Sequence, residues 1–172
     1  MKLSKKDRLI LINQYKILSK IEPEDEEHYK ELISILENGY TIFYSEIENW
    51  ISEDMPISDG KFVLDVLSLY RSLEDIKRTS ADERINKHHM SIFRGFDGNN
   101  EYQQLSFTRF LILEQNKFSE QTDYLIKTDR FNSHSPMIDL YARMIAKWEQ
   151  LGKRYTLSVE QALEILDSVN VQ

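Results

Sequence analysis

Apolar residues recur along this chain in steps of three and four, and nowhere in the strict alternation that a half-buried strand requires. RLILINQYKIL at 8–18 follows Ser4, which with Asp7 three residues on makes an approximate capping box, so a first helix is expected over 5–19. EPEDEE at 22–27 gathers acids round Pro23, which suits a helix start, because carboxylates there meet the positive end of the dipole. Tyr29, Leu32, Ile33, Leu36 and Tyr40 form one stripe of a second helix, which Gly39 closes. A short third helix covers 45–51 and carries Ile47 and Trp50. MPISDG at 55–60 breaks the pattern, and Ser58 is expected to cap a fourth helix. Its segment FVLDVLSLYRSLEDI, 62–76, is apolar almost all round, as a central buried helix or one face of an oligomer contact would be.

Residues 77–91 are polar and irregular apart from a weak short helix near ADERINKHH, and GFDGNN at 95–100 reads as a turn. A helix over 101–116 follows, with Phe107, Phe110, Leu111 and the later Phe118 expected inward. After a stretch without period, 119–135, Ser135 and Pro136 read as cap and first turn of a helix striped by Met137, Tyr141, Met144, Trp148 and Leu151. Ser158 and Gln161 make a capping box for a last helix that buries Val159, Leu163 and Leu166. The pattern predicts an all-α, multihelical fold of six to seven helices. It forms a single domain over 1–172, with a candidate subdomain break near 52–60 and two subdomains sharing one core.

The blocks RLILINQYKIL, ILENGY (35–40), FRGFDGNNE (93–101) with RFLI (109–112), FNSHSPM (131–137) and RYTLS (154–158) resemble the YfbU family, a group of small helical bacterial proteins. They run in family order across nearly the whole chain. The resemblance implies a multihelical fold in two subdomains, a cytoplasmic bacterial setting and self-association. It supplies no activity and no catalytic residue.

Charge narrows the partners. The formal net charge is -7, from 29 acidic and 22 basic residues, and this works against non-specific binding to nucleic acid or anionic lipid. Arg143, Lys147, Lys153 and Arg154 could line one helix side, but Glu149 sits among them with no interleaved aromatic platform, so nucleic acid is the least favoured partner. The opening apolar run is only four residues long, too short for a signal peptide or a span, and a cytoplasmic protein with no membrane partner is expected.

There is no cysteine, hence no disulfide, thiolate zinc site or cysteine nucleophile. His28, His88, His89 and His134 lack the spacing of a helical metal pair. Asp97, Asn99 and Glu101 imitate the start of a calcium loop, but its sixth position is Tyr102 and its twelfth Thr108. Neither a metal nor a cofactor is expected. GxSxG, SxxK and GxxxxGK are all absent.

Two groups of residues remain as candidate binding sites. Asn13 and Gln14 each neighbour apolar rows of the first helix, where a buried amide without a partner would cost about 1–3 kcal/mol. They should therefore either tie that helix to a loop or meet a partner across an interface, and Lys16 could extend a polar pocket there. Asp97, Arg109, Asn132 and His134 all lie in or beside irregular segments, where binding residues concentrate; against this stand a turn cap for Asp97 and a local ion pair for Arg109. The leading expectation is a non-enzymatic interaction or regulatory protein. It would form a homo-oligomer, with a dimer favoured, and could bind another protein. A small-molecule-binding protein or enzyme using the polar cleft comes second.

Overall fold

Ser4 opens the first helix by local chemistry alone: its hydroxyl accepts the Asp7 N–H while the Asp7 carboxylate accepts the Ser4 N–H. The computed structural model, which describes residues 2–170, carries this helix, α1, over Lys5–Ile21, two residues past its expected end. Pro23 begins a 3-10 turn that leads into α2, Glu26–Asn38, and Gly39 ends α2 in the left-handed region at φ 69. α3, Tyr44–Glu48, is short, and Trp50 beyond it is exposed rather than packed. The chain divides here into two units, Met1–Asp54 and Met55–Gln172, each with its own apolar cluster.

In the first unit α1 and α2 pair through Ile12, Leu32, Ile35 and Leu36, and Tyr44 and Ile47 of α3 complete the cluster. Arg8 donates from Nη1 to the Leu36 carbonyl at 2.9 Å, satisfying an acceptor near the C-terminal end of α2. Tyr29 donates its hydroxyl to Glu22, and this bond pushes its phenol up to about 12.

The second unit is built round α4, Ile57–Ser80. It starts earlier than expected, with Pro56 rather than Ser58 at the N-cap, and the Ser58 hydroxyl donates to the neighbouring Asp59 carboxylate. Val63, Val66, Leu67, Leu69, Tyr70 and Leu73 are buried, as an all-round apolar segment requires. α5 is one turn, Glu83–Asn86, capped by Asp82. α6, Tyr102–Arg109, runs into a π turn over Phe110–Glu114, where Gln115 N–H donates to the Phe110 carbonyl. Phe110, expected inward, is exposed at the start of this turn and stacks on Phe107, while Leu111 and Phe118 are buried.

α7, Ile138–Gln150, buries Tyr141, Met144, Ile145 and Trp148. α8, Val159–Asp167, has the full Ser158–Gln161 capping box, although Ala162, Ile165 and Leu166 carry its burial more than Val159 and Leu163 do. Among the described residues there is no strand beyond a single bridge between Phe96 and Asn132, and no helix is long and apolar enough to cross a membrane.

Candidate functional site

An aromatic cluster in the second unit fixes the loops that carry the polar candidates. Phe93, Phe96, Phe131 and Tyr141 meet with ring centroids 5.5–6.0 Å apart, and Tyr141 donates its hydroxyl to the Gly95 carbonyl while accepting the Arg94 N–H. Burial pushes the Tyr141 phenol well above its ordinary range, so it serves as a neutral donor. Phe96 N–H donates to the Phe131 carbonyl at 3.0 Å and Ser133 N–H to the Phe96 carbonyl at 3.2 Å, holding 93–101 against 128–136. Asp129, Arg130, Phe131 and His134 all adopt positive φ, a crowding of left-handed residues that this framework must enforce.

Three of the four polar candidates converge here. Asn132 Oδ1 accepts from Gly98 N–H at 3.0 Å and His134 N–H at 3.3 Å. Asp97 is 2% exposed; it accepts the Asn99 N–H at 3.1 Å and a bond from the Asn100 amide. Arg109 holds the same loop elsewhere, donating from Nε to the Arg130 carbonyl at 2.8 Å. Arg109 makes no ion pair among the described residues, and Asp97 sits in an Asx turn.

The Asn100 amide, the Asn99 N–H and the nearby His134 hold the Asp97 carboxyl below the usual carboxylate range. A carboxyl depressed in the folded state stabilises above its unfolded value near pH 4 and loses that contribution as pH falls through the folded value. Asp97→Asn should therefore melt below the parent protein at pH 7. The gap should close as pH falls below about 4, which parallel thermal melts would register.

The accessible part of this junction is a hollow of ≈ 380 Å³ lined by Arg94, Lys127, Thr128, Asp129, Asn132, Ser133, His134 and Ser135. Neither Asp97 nor Arg109 lines it. His134 Nε2 lies 2.9 Å from Asp129 Oδ2, both side chains being well exposed. Ser133 donates its hydroxyl to the Ser135 carbonyl, so it is not poised against the histidine as a nucleophile. Among the described residues no three His, Asp or Glu gather in a set that could hold a metal ion.

One buried residue central to this junction is easily missed in the sequence. Glu101, 3% exposed, accepts the Met137 and Ile138 N–H groups at Oε1, 2.7 and 2.9 Å, and the Asp97 N–H at Oε2, 3.0 Å. It takes the cap role expected of Ser135: α7 begins without a side-chain cap of its own, and the Ser135 hydroxyl points to Ser133.

Asn13, Gln14 and Lys16 belong to the first unit. The two amides are not buried and do not tie α1 to a loop; both side chains are exposed and have no partner among the described residues. Lys16 pairs with Glu37 at 3.2 Å, and Asn13 and Lys16 line a hollow of ≈ 380 Å³ with Arg8, Leu9, Leu36 and Glu37. Round the amides, along the part of α1 that α2 leaves uncovered, Leu9, Ile10, Ile17 and Ile21 are 58%, 48%, 60% and 67% exposed. At about 100° per residue these six positions occupy a single arc of the helix.

The family model of the YfbU domain matches residues 1–168. UPF0304 protein MJECS11 of Methanocaldococcus jannaschii is 49% identical over 169 residues, covering 96% of this chain and 99% of that protein. This relative is archaeal, so the likeness does not by itself imply a bacterial source.

Proposed function

We infer that this chain, which belongs to the YfbU family, works by docking another polypeptide through its first unit rather than by catalysis. The observation that carries this reading is the stripe Leu9, Ile10, Ile17 and Ile21, an exposed apolar stretch on a helix whose Ile12 side is already occupied by α2. Among the described residues, nine of the fifteen exposed large hydrophobic ones fall in this unit, which is under a third of the chain. The polar candidates of the second unit favour structure over chemistry, since Asp97, Asn132 and Arg109 spend their bonding groups on neighbouring backbone and amides.

The first docked polypeptide is a second copy, giving a homodimer. Light scattering over a dilution series tests this. At about 100 μM the mass should approach twice the 20.5 kDa of one chain and fall on dilution, because one helix pair is small beside interfaces of about 1,200–2,000 Å². A mass of one chain at every concentration would remove the homodimer.

A second reading, binding of a small anion in the hollow beside His134, is supported by Arg94 and Lys127, two lining cations without an ion-pair partner among the described residues. Inorganic phosphate added while the His134 ring resonances are followed should then give a saturable shift; no shift up to about 10 mM would discard it.

A further inference from the structure

We propose that two copies of the chain pair through α1 in an antiparallel arrangement, with the two-fold axis beside Asn13 and Gln14; this rests on the docking role assigned to the α1 stripe. The stripe is suited to meet itself. Counted outward from the point between Asn13 and Gln14, Ile10 and Ile17 are equidistant, and so are Lys6 and Ile21. Reversal about that point sets Ile10 of one copy beside Ile17 of the other, and leaves the amides of both copies together in the middle of the contact. Amides so placed find acceptors and donors on each other and penalise any shifted register, as a single buried polar residue does in coiled coils.

Charge selects the direction. Lys2, Lys5 and Lys6 are exposed at the start of α1 and have no ion-pair partner among the described residues. The lysines sit at the positive end of their own helix dipole, an unfavourable place unless an anion comes close. Glu24 and Asp25, just past the other end of α1, are also exposed and without an ion-pair partner. The two groups are separated by the 17 residues of α1, about 26 Å, which is beyond the screening length of roughly 8–10 Å, so within one chain they do not neutralise each other. Antiparallel pairing brings the lysines of each copy to the carboxylates of the other, twice, by symmetry. Parallel pairing would stack lysine on lysine and carboxylate on carboxylate.

The chain has no cysteine, so single cysteines report position cleanly. Asn13→Cys, Lys6→Cys and Ile21→Cys replace exposed side chains on the docking side of α1, and each variant would be treated with a short bismaleimide. Asn13→Cys should link to itself at least about ten times faster than either end variant, because effective concentration follows distance. Lys6→Cys and Ile21→Cys, unable to link to themselves, should link to each other when mixed. If the end variants link to themselves as fast as Asn13→Cys and not to each other, the pairing is parallel and the proposal is overturned. If none links while light scattering still gives a dimer, the contact lies elsewhere and this inference fails while docking survives. If none links and the protein is a monomer, both fail.

Discussion

Gly95→Ala should destabilise the second unit more than any other single-methyl substitution. A Cβ at Gly95 would lie 1.7 Å from the Phe131 carbonyl oxygen and 2.3 Å from its carbon, and the glycine sits at φ +84, where a side chain is strained even in open space. The obstructing group is backbone, and it cannot swing aside: the Phe131 oxygen accepts the Phe96 N–H, and the Phe131 ring is packed against Phe93. Relief therefore means separating 93–101 from 128–136 and opening the aromatic cluster. A loss of about 4 kcal/mol or more is expected, a large share of the roughly 5–15 kcal/mol that holds a domain together. At about 2–4 °C per kcal/mol this lowers the melting temperature by about 8–16 °C. Gly98→Ala is the control: its Cβ would meet only the Asn132 side-chain amide, at 3.3 Å, and should cost little. Equal melting temperatures for Gly95→Ala and the parent protein would contradict the role given to this contact.

Glu101→Ala should come close behind. Removing the carboxylate strands three backbone donors, at Asp97, Met137 and Ile138, of which the first two are buried. Each buried unmet donor costs about 1–3 kcal/mol, so a total of about 3–5 kcal/mol is expected once partial hydration is allowed for. Glu101→Gln keeps one acceptor oxygen and should fall between. Urea unfolding gives the magnitude, and amide exchange locates it: protection at Met137 and Ile138 should drop before that of the rest of α7. Unchanged exchange at those two amides would mean that α7 is capped by something else.

These residues also mark how far the sequence could be read. The capping boxes at Ser4 and Ser158 were legible because each is complete within four residues. The start of α7 was not, because its acceptor is Glu101, 36 residues before Met137, and Ser135 offered a plausible local substitute. Phe110 differs for another reason: Phe107, Phe110 and Leu111 are adjacent apolar positions on one helix, and the spacing alone does not say which of them the core leaves outside. In the candidate site, turn chemistry placed Asp97, and the lack of any period placed Asn132, in irregular segments. Neither could show that Asn132 would spend its oxygen on Gly98 and His134, since that depends on two segments meeting. Asn13 and Gln14 were conspicuous as amides in an apolar run, but whether they faced α2 or solvent depended on which side of α1 the partner helix chose.

Association through the uncovered part of α1 is tested most directly by sedimentation equilibrium of the parent protein beside the double variant Ile10→Asp, Ile17→Asp, with helicity followed by circular dichroism. Both isoleucines are about half exposed, so the substitutions should leave the fold within roughly 0.5 kcal/mol of the parent. The expected result is a concentration-dependent dimer for the parent and a single 20.5 kDa species for the variant, with the same helix content. A parent protein that stays at one chain mass, or a variant that associates as strongly as the parent, would contradict it.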